Sequence, residues 1–256
     1  MSPAVRTALV TGGSEGLGLH VARCLSEKGY CVTIVGRSEA KLERAAVMLS
    51  GNQHKRVSMD LATRAGANQL IDLVEREGFD VLVNNAGASH FGAVEMLDAD
   101  AVEGTLQLNL LTPALVSWAF VRNARPGSVL VNVTSIVGTV PIPGNTLYSA
   151  AKAGLQVLTE CLWYETQNRK IRVLDFRPAG MKTNFHQAAG GASMSGSLGV
   201  APETAARDLV AAIEGARDFV YVYGAFALAL EWMRRLLPKR LMIGMTGRKS
   251  KKAGYL

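Results

Sequence analysis

Short runs in which nearly every residue is apolar, many of them β-branched, recur along the chain. Runs of this kind are typical of strands that are buried on both faces of a sheet. They are found at residues 6–11, 30–36, 55–60, 79–85, 128–135, 171–177 and 219–224. The pattern therefore predicts seven strands that belong to a buried sheet.

Between the strands, apolar residues recur with the three-to-four-residue spacing of amphipathic helices. These stretches are 16–28, 39–49, 64–77, 99–123, 147–168 and 202–215. Strands that alternate with helices are joined by right-handed crossovers, which make the strands parallel and place helices on both faces of the sheet. We therefore predict one α/β domain with a doubly wound parallel sheet over residues 1–224, followed by an extension over residues 225–256.

Composition and charge narrow the range of functions. The three cysteines form no C-x-x-C pair and the four histidines have no metal-ligand spacing, so we predict neither disulfides nor a metal site. The N-terminus enters the first strand without the apolar run of a signal peptide, so a cytoplasmic location is expected. The chain has a net charge of +7, and its excess of basic residues lies after residue 233. The main body therefore gives no indication of nucleic-acid binding.

A glycine-rich turn, TGGSEGLG at residues 11–18, follows the first predicted strand and opens the first helix. Gly12, Gly16 and Gly18 suit a turn in which the backbone passes close to a pyrophosphate. The amide groups and the positive end of the following helix would then meet the phosphate charge. The position between a strand and a helix is the context that a dinucleotide site requires.

From this turn onward the chain resembles the short-chain dehydrogenase/reductase family. The resemblance rests on motifs in the family's order and spacing: TGGSEGLG at 11–18, Asp60-Leu61 after the third strand, NNAG at 84–87, Asn109, Ser135, YSAAK at 148–152 and P-x-x-x-x-T at 178–183. It implies a Rossmann-type domain, with a nicotinamide cofactor across the carboxyl ends of the strands.

The resemblance also implies the roles of four catalytic residues. Tyr148 would be the proton donor, Ser135 would orient the substrate carbonyl, Lys152 would hold the nicotinamide ribose, and Asn109 would hold a water that links Lys152 to solvent. Tyr148 and Lys152 share one helix face because they lie four residues apart. At about 4 Å an ammonium group would stabilise a phenolate by up to roughly 4 kcal/mol, so we expect Lys152 to bring the pKa of Tyr148 toward neutrality. Thr134 precedes Ser135, but adjacent strand residues point to opposite faces, and the family spacing selects Ser135.

The end of the second strand decides which nicotinamide cofactor is expected. An acidic residue there would hold the free ribose hydroxyl of NAD, whereas this chain has Arg37 and Ser38. Arg37 can pair with a 2′-phosphate, and Ser38 and Ser14 can hydrogen-bond it, so we predict NADP(H). The full set of cofactor-binding residues expected from the resemblance is Gly12, Ser14, Gly16, Leu17, Gly18, Arg37, Ser38, Asp60, Leu61, Asn85, Ala86, Gly87, Tyr148, Lys152, Pro178, Gly180, Met181 and Thr183.

The chain departs from the family pattern after the sixth strand. The family's Pro-Gly pair is here Pro178-Ala179, and the glycine follows one place later as Gly180. By resemblance the hydroxyl of Thr183 and the backbone of Met181 would still contact the cofactor. Residues 184–200, rich in Gly, Ser and Ala, are expected to form a mobile substrate lid that includes His186.

The extension combines Phe226, Leu230, Met233, Leu237 and Leu241 at helical spacing with clustered arginines and lysines. We expect a helix that closes the substrate pocket, with contact to a membrane surface or to an acidic carrier protein as the alternatives. By resemblance, helices 99–123 and 147–168 would pair in a homodimer or homotetramer.

These features together predict NADPH-dependent reduction of a ketone or aldehyde on an apolar small-molecule substrate, such as a 3-oxoacyl chain, a keto lipid or a polyketide-like intermediate. The alternatives are the same enzyme acting as an alcohol dehydrogenase, or a catalytically idle NADP-binding regulator. The joint presence of Ser135, Tyr148 and Lys152 favours an enzyme.

Overall fold

A parallel sheet of seven strands forms the centre of the computed structural model, which describes residues 5–178, 180–181, 185, 199–215 and 220–256. The strands are β1 Thr7–Thr11, β2 Cys31–Gly36, β3 Lys55–Ser58, β4 Val81–Asn84, β5 Val129–Val133, β6 Arg172–Pro178 and β7 Val220–Tyr223. Their order is β3-β2-β1-β4-β5-β6-β7. The strand order reverses direction between β1 and β4, which is where open α/β sheets bind ligands. The predicted doubly wound fold is confirmed.

Helices cover both faces of the sheet. They are α1 Gly16–Glu27, α2 Glu39–Val47, α3 Arg64–Glu77, α4 Ala99–Leu106, α5 Thr112–Asn123, α6 Ile136–Thr139, α7 Thr146–Thr166, α8 Pro202–Glu214, α9 Ala225–Leu236 and α10 Lys239–Lys252. Short 3₁₀ turns lie at Val94–Met96 and Gln167–Arg169. Most predicted helices and strands agree with these bounds to within two residues, whereas α6 and the 3₁₀ turn at Val94–Met96 were not predicted.

The core has two layers because side chains alternate along the strands. On β1, Ala8 and Val10 face one cluster, which packs beneath α1 and α8, while Leu9 faces the opposite cluster beneath α3 and α5. Both layers are fully buried at these positions. The near-continuous apolar runs of the sequence therefore reflect a sheet that is buried on both faces.

The stretch predicted as a single helix over residues 99–123 is interrupted. A π-helical segment, Gln107–Leu111, separates α4 from α5. By length and composition alone, Ala99–Asn123 is the one helix among the described residues that could cross a membrane. In this fold α5 packs against α3, while α4 packs against α7. Core helices of soluble proteins also meet these criteria of length and composition.

The extension, for which we expected one helix through Leu241, forms two helices. Helix α9 ends at Leu236, and α10 begins at Lys239. Pro238 lies between them, and a proline both lacks an amide donor and disfavours helical geometry at the preceding residue. Leu241 therefore belongs to the second helix, where its side chain is exposed.

Candidate active site

The glycine-rich turn lies at the carboxyl end of β1 and leads into α1. Gly12 has a φ of +65° and Gly16 a φ of +57°, both in the left-handed region that favours glycine. A Cβ atom on Gly18 would lie only 2.2 Å from the Gly12 carbonyl oxygen. The missing side chain lets the turn pack directly on α1, and the amide groups in the first turn of a helix have no partner within the helix. The geometry fits a dinucleotide pyrophosphate.

Asn85 holds this turn from the neighbouring strand. Its side-chain amide donates to the carbonyl oxygens of Thr11 and Gly12, at 2.9 and 3.3 Å. The Thr11 hydroxyl in turn accepts from the backbone amides of Asn85 and Ala86. The predicted residues Asn85 and Ala86 therefore lie against the glycine-rich turn. The side chain of Leu17 packs in the core, so of this residue only the backbone amide is available to a ligand.

The residues that we predicted to contact a 2′-phosphate lie at the corner after β2, which has Arg37 and Ser38, and in the glycine-rich turn, which has Ser14. Arg37 is exposed. Ser38 caps α2 by accepting from the amide of Lys41 at 3.4 Å. The Ser14 hydroxyl lies close to Gly36, where an added Cβ would be 3.3 Å away from it. The turn and the corner thus lie side by side at one edge of the sheet.

Asp60 and Leu61, which we predicted to contact the cofactor, differ in their exposure. Asp60 is exposed, and its carboxylate accepts from the backbone amide of Ala62 at 3.0 Å. The Leu61 side chain is buried in the core, and its carbonyl oxygen accepts from the Thr112 hydroxyl at 2.8 Å. Leu61 can therefore reach a ligand only through its backbone, whereas the side chain of Asp60 is accessible.

Ser135, Tyr148 and Lys152 meet at the carboxyl end of β5. Ser135 caps α6, and its hydroxyl interacts with that of Tyr148. Lys152 is buried, donates to the Val133 carbonyl oxygen at 2.9 Å, and has its Nζ 5.6 Å from the centroid of the Tyr148 ring. The neighbouring Thr134 hydroxyl donates instead to the Asp175 carboxylate. The structure thus brings together the three residues predicted from the sequence and turns Thr134 away.

The electrostatics of this group differ from our expectation. Burial raises the pKa of Tyr148, and the Ser135 hydroxyl opposes this only in part. Burial also lowers the pKa of Lys152 to about 8, although the negative charge of Asp175 acts to raise it. The prediction that Lys152 brings the pKa of Tyr148 toward neutrality is therefore wrong for this arrangement. The ammonium group is bound to the Val133 carbonyl oxygen, so the desolvation of a phenolate dominates.

Asn109 lies in the π-helical segment and is fully buried. Its amide nitrogen donates to the carbonyl oxygens of Ala88 and Thr105, at 2.8 and 2.9 Å. Its Oδ1 atom has no hydrogen-bond partner among the described residues. A Cβ atom on Gly87 would lie 2.9 Å from this oxygen and 3.7 Å from Lys152 Nζ. The absence of a side chain at Gly87 therefore leaves space beside both Asn109 and Lys152.

Sequence analysis did not identify two buried polar residues, Gln156 and Asp175, that lie next to the catalytic residues or their neighbours. Gln156 is buried, donates to the Ser135 carbonyl oxygen at 2.6 Å and accepts from the Thr139 hydroxyl. It follows Tyr148 and Lys152 at intervals of four residues on the same face of α7, and this spacing could have identified it. Asp175 is also fully buried, on β6, where its carboxylate accepts from Arg177.

The segment after β6 is described only in part. Pro178 is buried, Gly180 is exposed, and Met181 packs against the core and forms a β-bridge with Val200. The ring of Phe185 lies 5.6 Å from that of Tyr148, between centroids. The predicted residues Ala179, Thr183 and His186, and the lid over residues 184–200 apart from Phe185, Gly199 and Val200, lie outside the described residues.

Across the described part of the chain, no group of three or more His, Cys, Asp or Glu side chains is arranged to hold a metal ion. The candidate active site thus consists of the polar side chains described above, beside the surface of the glycine-rich turn.

Comparisons with known proteins agree with this geometry. The sequence profile of the short chain dehydrogenase family matches residues 6–192. The 3-oxoacyl-[acyl-carrier-protein] reductase FabG of Chlamydia trachomatis serovar D is 32% identical over 189 residues, which cover 70% of this chain and 75% of that protein. Carbonyl reductase family member 4 of Danio rerio is 30% identical over 185 residues, which cover 70% of this chain and 77% of that protein.

A solved structure shows the same fold. The short-chain dehydrogenase from Sphingobium yanoikuyae in complex with NADPH superposes with a TM-score of 0.80 at 24% identity, covering 90% of this chain and 94% of that one. The family profile extends from before β1 to beyond β6 and spans well over half of the sequence. The chain therefore belongs to the short-chain dehydrogenase family of oxidoreductases.

Proposed function

We propose that this protein is an NADPH-dependent reductase of ketones or aldehydes on apolar substrates. The observation that carries the proposal is the convergence of Ser135, Tyr148 and Lys152 at the carboxyl edge of the sheet, beside the glycine-rich turn. The buried oxygen of Asn109, which has no hydrogen-bond partner in the part of the chain that the structure describes, borders the space left by Gly87 beside Lys152. A proton donor, its polar partners and a dinucleotide cradle are the parts that carbonyl reduction requires.

The cradle and its corner support the choice of cofactor. Gly12, Gly16 and Gly18 would admit the pyrophosphate, and exposed Arg37 would pair with a 2′-phosphate. The related fold from Sphingobium yanoikuyae was solved with NADPH. When bound, reduced NADP supplies the hydride for the carbonyl carbon.

The protein's own groups would manage the proton. Because burial raises the pKa of Tyr148, its hydroxyl keeps its proton at neutral pH and can donate it to a carbonyl oxygen that gains negative charge. Ser135 would donate a hydrogen bond to the same oxygen and polarise it. Lys152 is charged below its pKa of about 8 and would be the source of the proton that replaces the one given up by Tyr148. Lys152 and Asn109 would then return a proton to Tyr148 through a water between them.

The surroundings of Tyr148 favour an apolar substrate. The Phe185 ring lies beside it, and both Val137 and Leu230 of α9 pack against Ile136, which directly follows Ser135. The names of the two relatives indicate carbonyl chemistry, in one case on a 3-oxoacyl chain. We propose a 3-oxoacyl, keto-lipid or polyketide-like carbonyl compound as the substrate class, and a cytoplasmic location for the reaction.

The test compares two tyrosines on one helix. Tyr148→Phe should abolish NADPH consumption with a panel of apolar ketones while NADPH binding, followed by nucleotide fluorescence, is retained. Tyr164→Phe, at an exposed position on α7, is the matched control and should behave like the wild type. If Tyr148→Phe turns over ketones as fast as the wild type, the proposal is wrong. An oxidation rate with alcohols and NADP⁺ that far exceeds the reduction rate would favour the alcohol dehydrogenase alternative.

We also propose that residues 1–224 form the catalytic domain and that it assembles as a homodimer or homotetramer. Apolar side chains are exposed along the two helices that we expect to pair, at Leu111, Trp118, Val157 and Trp163. Such exposed apolar surface is typical of a surface that is buried between subunits. A monomer at micromolar concentration in light scattering would contradict the assembly.

A further inference from the structure

The two C-terminal helices pack on the active-site loops through their inner faces. Leu230 of α9 contacts Ile136, next to Ser135. On α10, Met242 and Ser250 are buried, and the Thr246 hydroxyl donates to the Pro141 carbonyl oxygen at 3.0 Å. These contacts place the extension on the loop that connects Ser135 to Tyr148. One face of each of the two helices is therefore in contact with the rest of the protein.

The outer face of α9 carries an exposed apolar stripe, defined here as Leu228, Trp232 and Leu236. These residues follow one another at intervals of four and therefore share one face of the helix. Their exposed fractions are 47%, 63% and 78%, so the exposure increases toward the end of the helix. On α10, Leu241 and Met245 are exposed in the same way.

The segment that contains this apolar stripe is rich in basic side chains. Residues 225–256 contain a single acid, Glu231, whose carboxylate pairs with Arg234 at 3.1 Å. Arg235 lies over the Trp232 ring at 5.4 Å from its centroid. The basic residues of the segment are Arg234, Arg235, Lys239, Arg240, Arg248, Lys249, Lys251 and Lys252. The net charge of this segment equals that of the whole chain, +7, so the rest of the chain is balanced and the excess charge lies in the extension.

We propose that this face docks on an anionic lipid surface. Exposed tryptophan and leucine side chains insert at the boundary between headgroups and acyl chains, and arginines and lysines beside them pair with acidic headgroups. A second copy of the chain fits poorly, because a symmetric contact would bring two such basic clusters together. An acidic carrier protein would match the charge but does not explain the apolar stripe.

Lipid docking is independent of the proposed reductase activity, so a negative result for docking would leave the proposed reaction unaffected. If it holds, the helices that contact the lipid are the ones that pack beside Ser135 and on the loop before Tyr148. An apolar carbonyl compound dissolved in the membrane would then reach the site without crossing water.

The experiment measures sedimentation of the full chain with vesicles of equal parts phosphatidylcholine and phosphatidylglycerol, at low and at high salt. We expect binding at low salt, loss of binding at high salt, and little binding to pure phosphatidylcholine. The double variant Lys239→Gln with Arg240→Gln should weaken binding by about fivefold per charge removed. The double variant Trp232→Ser with Leu236→Ser should weaken it by about tenfold or more.

The matched control removes exposed apolar residues from a distant helix end. Val47 and Met48, at the end of α2, are 87% and 49% exposed, and Val47→Ser with Met48→Ser should bind vesicles like the wild type. All variants should retain NADPH-dependent turnover of a water-soluble ketone. Equal binding to neutral and anionic vesicles, equal weakening by the control, or binding to acidic acyl carrier protein in place of vesicles would each overturn the proposal.

Discussion

Replacing Lys152 with methionine should make the protein more stable at neutral pH while it abolishes carbonyl reduction. Lys152 is 3% exposed, and burial lowers its pKa from 10.5 to about 8. At about 1.36 kcal/mol per unit, keeping the ammonium group charged in the folded state costs about 3 kcal/mol. Methionine removes this cost but leaves the Val133 carbonyl oxygen without its donor, which costs about 1–2 kcal/mol. The expected net gain in the free energy of unfolding is therefore about 1–2 kcal/mol.

The pH dependence gives this prediction a specific sign. Below pH 8 the lysine is protonated in both the folded and the unfolded chain, so the cost is complete. Between pH 8 and 10.5 the unfolded chain binds more protons than the folded one, so the wild type gains stability as the pH rises. Lys152→Met lacks this group, so its advantage should shrink over this range. It should vanish by about pH 9.5 and become a deficit near pH 10.5.

Urea unfolding without cofactor, at about pH 7 and at about pH 9.5, measures the effect. Lys251→Met, at an exposed position on α10, is the matched control and should not change the pH dependence of stability. The reasoning is refuted if Lys152→Met is less stable than the wild type by the same amount at both pH values. Lys152 would then act as an ordinary hydrogen-bonding side chain.

Three further variants test the remaining parts of the site. Arg37→Ala should weaken NADPH binding by roughly 1.5–3 kcal/mol and leave NADH binding unchanged; equal losses for both nucleotides would contradict the assignment. Gly18→Ala should abolish binding of both nucleotides in fluorescence titrations, because its Cβ would lie 2.2 Å from the Gly12 carbonyl oxygen, and unchanged titrations would disprove the cradle. Asp175→Asn removes the charge that partly offsets the effect of burial on the pKa of Lys152, so this pKa should fall further. The alkaline limb of the kcat/KM profile should then move to lower pH. An unmoved limb together with a lower Tm would assign Asp175 a structural role alone.

The sheet and most of its helices could be predicted because their signal is local. Buried parallel strands require apolar residues on both faces, and runs such as 128–135 record this directly. The glycine-rich turn was equally clear, since the close approach of Gly18 to Gly12 excludes any side chain. Patterns of residue type and spacing therefore sufficed for the fold and for the position of the site.

The irregular parts could not be predicted, because no local pattern marks them. The π-helical segment at Gln107–Leu111 keeps the apolar spacing of an ordinary helix, yet it is where Asn109 places its oxygen beside Gly87. The orientation of the Lys152 ammonium group toward the Val133 carbonyl oxygen depends on contacts between α7 and β5. For this reason the pKa of Tyr148, which we derived from spacing alone, was predicted in the wrong direction.

The buried charges on β6 show how such contacts complete the site. In sequence, Asp175 and Arg177 are two charges in an apolar run, and charges are usually expected at the surface. In the structure Asp175 is fully buried, accepts from Arg177 and from Thr134, and Arg177 also pairs with Glu160 of α7 at 2.6 Å. A buried charge is tolerated when it is paired, and removing one partner leaves the other uncompensated. Burial raises the pKa of Asp175, and the Arg177 guanidinium opposes this rise by stabilising the carboxylate. The charge of Asp175 in turn opposes the loss of charge from Lys152, which explains why charged residues occupy a strand that is otherwise apolar.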